Sequence, residues 1–155
     1  MDHMILIESI YLLLIAIPSV AIFLRTRTLY NFSGYKGLKY YSNAFLFLAL
    51  GFFTRYVVMV IKLFQGHFQT ISNFDIFTLF MEYFLILPGF FLLYSMIWQK
   101  FETKHYSRKI KLNLIPIYLI SAFLALGDMF LNGFYLMYVS QIMVFLINAS
   151  ISFKR

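Results

Sequence analysis

The sequence predicts an all-α integral membrane protein that forms a single domain over residues 1–155 and contains five transmembrane helices. Composition is the first reason: 62% of the residues are hydrophobic and 12% are charged, against roughly 45–50% and about 25% in globular domains. The second reason is a mean hydropathy of +0.81. A water-soluble fold this apolar would expose contiguous patches larger than the few hundred Å² that monomers tolerate.

Five apolar runs are each close to the ~20 residues that a helix needs to cross about 30 Å of hydrocarbon. They are twice as long as membrane β-strands and lack the alternation of such strands. The first run follows an acidic residue, Asp2, and has no small-residue cleavage site, so it is expected to be a retained span rather than a signal peptide. In chain order the predicted spans are 4–24, 43–64, 76–98, 114–131 and 134–153.

The distribution of charge predicts the orientation, because cytoplasmic loops carry the excess of Lys and Arg. Eleven of the thirteen basic residues fall after the first span, after the third span, or at the C-terminus. An odd number of spans puts these three segments on the same side. Five of the six acids fall in the opposite half. The expected topology therefore has the N-terminus outside and the C-terminus in the cytoplasm, as in a multi-pass protein of the cell membrane.

The same distribution argues against several functional classes. The net charge of +7 is spread over three juxtamembrane strips, which suits anionic lipid headgroups at the cytoplasmic face rather than nucleic acid. Cysteine is absent, so thiolate metal sites and cysteine nucleophiles are excluded. The His, Asp and Glu residues show no ligand spacing, so neither a metal nor a cofactor is expected.

Charged residues inside the spans are the best candidates for a site, because each costs about 2.5–3.5 kcal/mol on insertion scales. Arg55 lies twelve residues into the second span, about 18 Å from its cytoplasmic end. Gly51, Arg55 and Lys62 share one helix face, and the predicted partner of Arg55 is Glu82, through a two-oxygen fork. The polar cluster predicted in the outer half of the bilayer consists of Glu8, Arg55, Lys62, Glu82, Asp128 and Gln141.

Two interpretations of this cluster stay open. It is either an ion-pair network that fixes helix register, or the lining of an outward-facing pocket for a polar ligand, an ion or a partner helix. Pro88 followed by Gly89 in the third span favours a bend and supports the pocket. Gln141 and Asn148 belong to a polar line on the fifth span, which is expected mainly to bond across helices.

The stretch from Arg25 to Ser42 is predicted to be the first cytoplasmic loop. Basic residues alternate there with aromatic ones, which is typical of a segment lying among lipid headgroups. Docking of a cytoplasmic partner is the alternative. The residues assigned to this lipid or partner contact are Arg25, Arg27, Tyr35, Lys36 and Lys39.

Three functions remain. The favoured one is a non-enzymatic sensor or partner-binding module, acting with a second copy or with a membrane partner protein. The alternatives are a small oligomeric carrier or channel and a membrane-embedded enzyme acting on lipid, although no catalytic motif is present. The layout, a short outward-starting bundle that ends in Lys154-Arg155, resembles the membrane sensor portion of some prokaryotic signalling proteins. That resemblance implies signal transduction and assigns no residue.

Overall fold

The computed structural model is all-helical over the residues it describes. The backbone is described for residues 2–65, 74–102, 109–131 and 133–153, and the side chains for residues 7, 10–60, 76–98, 114–131 and 133–151. The five helices are α1 (Asp2–Ser33), α2 (Lys36–Gln65), α3 (Phe74–Glu102), α4 (Lys109–Leu131) and α5 (Tyr135–Phe153). The predicted number and type of elements are confirmed.

Four helices contain stretches long and apolar enough to span a membrane. These stretches are Ile10–Ser33, Lys36–Val60, Ile76–Trp98 and Leu114–Leu131. The apolar stretch of α5, Tyr135–Ile151, is shorter. By length and composition the described residues therefore contain four clear candidate spans and one short apolar helix, where the sequence predicts five spans.

The predicted loop at Arg25–Ser42 is wrong, because this segment is helical apart from two residues. α1 continues to Ser33 and α2 begins at Lys36. Gly34 ends α1 with a φ of 65°, a left-handed conformation that glycine adopts without a steric penalty. Its N–H donates to the Tyr30 carbonyl at 2.8 Å. The basic residues of this segment lie near the helix ends. Lys and Arg have favourable helix propensities, so they do not terminate a helix.

α3 is the central helix of the bundle. It packs against α2, α4 and α5, whereas α1 packs against α2. One buried cluster joins α2 to α3 near the basic end and consists of Tyr40, Ala44, Leu87, Phe91 and Tyr94. A second joins α3 to α4 and α5 near the opposite end and consists of Met81, Leu85, Ile86, Ala125 and Met137. These contacts make α3 antiparallel to α2 and α4 and parallel to α5.

Small residues set the closest approaches between helices. A Cβ added to Gly51 would lie 2.8 Å from Leu85 Cδ2 and 3.3 Å from the Leu85 backbone nitrogen. α2 and α3 therefore touch nearly backbone to backbone at this level, as small residues allow between apolar helices. The helix face of Gly51 points into the bundle, as the sequence predicts.

Candidate binding groove

Helices α2 and α5 both pack on α3, but over their described residues they do not pack against each other. The space between them is a groove with α3 as its floor. Its main part has a volume of about 530 Å³ and is lined on α3 by Leu85, Pro88, Gly89 and Leu92. A smaller part of about 240 Å³ extends it toward Thr78 and Phe134.

Arg55 lies where the two parts of the groove meet, because it lines both of them. The cation is half-buried and level with the beginnings of α3 and α5, since Thr78 and Phe134 line the same space. A guanidinium carries five N–H donors in a fixed fork. With five donors, a guanidinium can bond to a group of its own chain and to an anion in the groove at the same time.

α5 lines the opposite wall with a row of polar side chains. Tyr138, Gln141 and Asn148 all line the main part of the groove. Gln141 Nε2 donates to the Leu85 carbonyl at 3.2 Å, so one member of the row bonds across helices as the sequence predicts. Asn148 Oδ1 is buried and has no hydrogen-bond partner among the described residues.

The predicted fork between Arg55 and Glu82 is absent. Such a fork needs both carboxylate oxygens, and Glu82 Oε2 is buried with no hydrogen-bond partner in the described part of the chain. Glu82 is only 4% exposed and does not line the groove. Its carboxylate is instead close enough to that of Asp128 for the two charges to repel each other.

Asp128 has a structural role that the sequence did not indicate. Its two oxygens accept hydrogen bonds from the backbone N–H groups of Leu136 and Met137, each at 2.7 Å. These are among the first N–H groups of α5, which have no acceptor inside the helix. The Asp128 side chain therefore caps α5 from the end of α4, and a negative charge there also suits the helix dipole.

Four of the six residues predicted as one polar cluster have described side chains, and these four lie in two different places. Arg55 and Gln141 lie in the groove, while Glu82 and Asp128 lie together among α3, α4 and α5. The side chains of Glu8 and Lys62 lie outside the described side chains. Within the described residues, no three His, Asp or Glu residues are grouped so as to hold a metal ion.

Several residues that line the groove were not predicted from the sequence. They include Tyr11 on α1, Thr78 on α3 and Phe134 before α5. Thr78 lies four residues before Glu82, but Glu82 does not line the groove, so helical spacing from the predicted cluster is a weak signal for Thr78. Tyr11 carries no comparable signal, because it is one of twelve tyrosines in an aromatic-rich chain.

The five residues assigned to lipid or partner contact all lie exposed at the basic end of the bundle. Arg25 and Arg27 are near the end of α1, Tyr35 is in the turn, and Lys36 and Lys39 begin α2. The Tyr35 ring meets the Trp98 ring edge to face at 5.1 Å, which ties the turn to the end of α3. The guanidinium of Arg27 lies 5.8 Å from the centre of the Tyr30 ring.

Comparisons with known proteins give little functional information. No protein-family model matches the chain, and no solved structure matches it. A stretch of 65 residues is 37% identical to part of an Archaeoglobus fulgidus protein described as "Uncharacterized protein". The stretch makes up 42% of this chain and 29% of the archaeal protein, so the chain covers less than a third of that relative.

Proposed function

We propose that the chain is an integral membrane protein with five spans, its N-terminus outside and its C-terminus in the cytoplasm. Four long apolar helices support this proposal, together with large apolar side chains exposed along the bundle, such as Phe123, Phe130 and Phe145. α5 has 19 residues and is about 28 Å long, close to the ~30 Å of bilayer hydrocarbon. The basic end of the bundle would face the cytoplasm.

Within the membrane the protein acts as a non-enzymatic sensor or partner-binding module, with the groove between α2 and α5 as its recognition site. One observation carries this proposal: a cationic side chain, Arg55, lines an open groove between two helices that do not pack together. A charged side chain inside a membrane span is costly in free energy, and such side chains are therefore rare and commonly mark functional sites. Exposed Arg25, Arg27, Lys36 and Lys39, with Tyr35, would contact anionic headgroups or a cytoplasmic partner.

A small oligomeric carrier is the second candidate, and the polar row of α5 favours it. Against it, the groove reaches only to Leu48 on α2, twelve residues and about 18 Å before the basic end of that helix at Lys36. Beyond that level the core is closed by the cluster around Tyr40, Phe91 and Tyr94. A carrier must open its site to each side in turn, which this arrangement does not supply.

Flux measurements discriminate these two functions. We expect liposomes containing the protein to carry Na⁺, K⁺, Cl⁻ and protons no faster than empty liposomes, for both wild type and Arg55→Ala. A membrane protein that co-purifies with wild type should be lost with Arg55→Ala and kept with Thr54→Ala, which changes the neighbouring residue of α2 outside the lining of the groove. Flux that depends on Arg55 would establish the carrier instead.

Cysteine labelling tests the proposed orientation in this cysteine-free chain. In intact cells, Ser33→Cys is expected to resist a membrane-impermeant maleimide, whereas Tyr135→Cys at the opposite end should react with it. Both positions are exposed, so a difference in labelling reports the side of the membrane rather than burial. The opposite labelling pattern would reverse the topology.

A further inference from the structure

The paired ends of α1 and α2 form a helical hairpin that extends past the apolar runs of both helices. The predicted spans stop at Leu24 and resume at Asn43, but the helices themselves continue to the turn at Gly34. A bilayer has about 5–8 Å of headgroup region on each side of its hydrocarbon, and a helix crosses that depth in roughly three to five residues. In the proposed membrane placement, the first extra turn of each helix therefore lies at the level of the lipid phosphates.

Three cations lie in those two turns, Arg25 and Arg27 on α1 and Lys39 on α2. All three side chains are exposed. Residues 9–74 contain neither Asp nor Glu, so α2 and nearly all of α1 lack a carboxylate that could pair with these cations. Arg27 lies over the Tyr30 ring, 5.8 Å from its centre, a contact that does not neutralise its charge. The positive charge of the hairpin is therefore unbalanced within its own two helices.

The arginines extend to the sides of the hairpin. Thr26, between them, is buried where α1 packs on α2. The residues before and after it are rotated by about 100° in opposite directions, so Arg25 and Arg27 flank the helix contact on its two sides. The turn itself carries one cation, Lys36, beside Phe32, which is 86% exposed. A protein docking from the cytoplasm would meet this tip first, whereas lipid headgroups surround the sides.

We propose that this end of the α1–α2 hairpin is a binding surface for anionic phospholipids, with the phosphates held by Arg25, Arg27 and Lys39. A guanidinium bonds two phosphate oxygens through parallel N–H donors, and an ammonium attracts phosphate as a point charge. A zwitterionic headgroup already carries a cation beside its phosphate, so the anionic headgroup is preferred. This inference rests on the proposed membrane placement and commits these residues to one of the two contacts named there.

Quenching of a single tryptophan by brominated lipid measures which lipids contact the hairpin. Trp98 is the only tryptophan of the chain, and its indole nitrogen has no hydrogen-bond partner in the described part of the chain, so Trp98→Phe supplies the background. Leu24→Trp places a probe at an exposed site directly before Arg25. Ile10→Trp, also exposed, is the matched probe about 21 Å away along α1. Each protein is placed in nanodiscs of brominated phosphatidylcholine, with unbrominated phosphatidylglycerol or phosphatidylcholine as the competitor.

The expected result is a lipid preference at one probe only. At Leu24→Trp, phosphatidylglycerol should compete with an association constant about five times that of phosphatidylcholine, the scale of one Lys or Arg near an anionic surface. At Ile10→Trp the two lipids should compete equally, because α1 has no Lys or Arg before Arg25.

Substitutions assign the preference to the cations. Arg25→Gln combined with Arg27→Gln should remove most of the preference at the Leu24→Trp probe, and Arg25→Lys combined with Arg27→Lys should keep it. Thr28→Ala is the control, since Thr28 is a neutral exposed residue of the same helix end, and it should leave the preference unchanged.

Two outcomes would overturn this inference alone. One is equal competition by the two lipids at Leu24→Trp. The other is binding of a soluble poly-glutamate peptide that is lost with Arg25→Gln and Arg27→Gln and persists when phosphatidylglycerol replaces half of the phosphatidylcholine, because the surface would then belong to an acidic cytoplasmic partner. Absence of quenching at both probes would instead contradict the membrane placement, and with it this inference. The flux test of the proposed function is a separate result.

Discussion

Replacing Asp128 by alanine is expected to lower the free energy of unfolding by about 2–4 kcal/mol, because two helix N–H groups lose their only side-chain cap. The carboxylate is 1% exposed and holds Leu136 and Met137 at 2.7 Å each. The next N–H, that of Tyr138, is bonded to the Phe134 carbonyl at 3.1 Å. Asp128 therefore supplies what the first turn of α5 cannot supply for itself.

Unfolding by SDS in mixed detergent micelles, followed by helical circular dichroism, measures this loss. Asp128→Asn retains one acceptor oxygen and should fall between wild type and Asp128→Ala. Met129→Ala is the matched control, since Met129 is the next residue of α4 and its side chain is exposed. Wild-type stability in Asp128→Ala would mean that these hydrogen bonds contribute nothing to the fold.

The sequence predicted helix number and type because the apolar runs are long and few residues interrupt them. The runs at Ile76–Trp98 and Leu114–Leu131 coincide with candidate spans in the structure. The ends of α1 and α2 were missed for a physical reason. Hydropathy marks where a helix would leave the hydrocarbon, whereas the helix itself ends where the backbone turns, at Gly34 with its positive φ. Arg25 and Arg27 follow the apolar run but still lie within α1.

The candidate site was predicted in part. Helical spacing put Gly51 and Arg55 on one inward face, and the structure has Gly51 against Leu85 and Arg55 in the groove. Spacing within one helix says nothing of which helices become neighbours or how each is rotated. Sequence spacing alone therefore could not show that Glu82 would lie near Asp128 rather than in a fork with Arg55. The cap on α5 was hidden for the same reason.

Replacing Glu82 by methionine is expected to raise the free energy of unfolding by about 1–3 kcal/mol, since it removes a buried carboxylate and keeps a similar volume. Glu82 is 4% exposed and Oε2 lacks a partner in the described part of the chain. The charge of Asp128 adds repulsion. Glu82→Gln should show a smaller gain. Ser95→Ala is the control on the same helix, because Ser95 Oγ donates to the Leu92 carbonyl at 2.7 Å and its loss should bring no gain.

The same SDS titration decides between the structure and the ion pair that the sequence predicted. If Arg55 and Glu82 formed a buried fork, removing either one alone would strand the other charge, and the double variant would be more stable than Arg55→Met. The cycle of Arg55→Met and Glu82→Met would then show a coupling of several kcal/mol. Because the fork is absent, we expect the two effects to add to within about 0.5 kcal/mol. A coupling of several kcal/mol would instead show that Arg55 and Glu82 form an ion pair. A loss of stability in Glu82→Met alone would show that Glu82 has a stabilising partner.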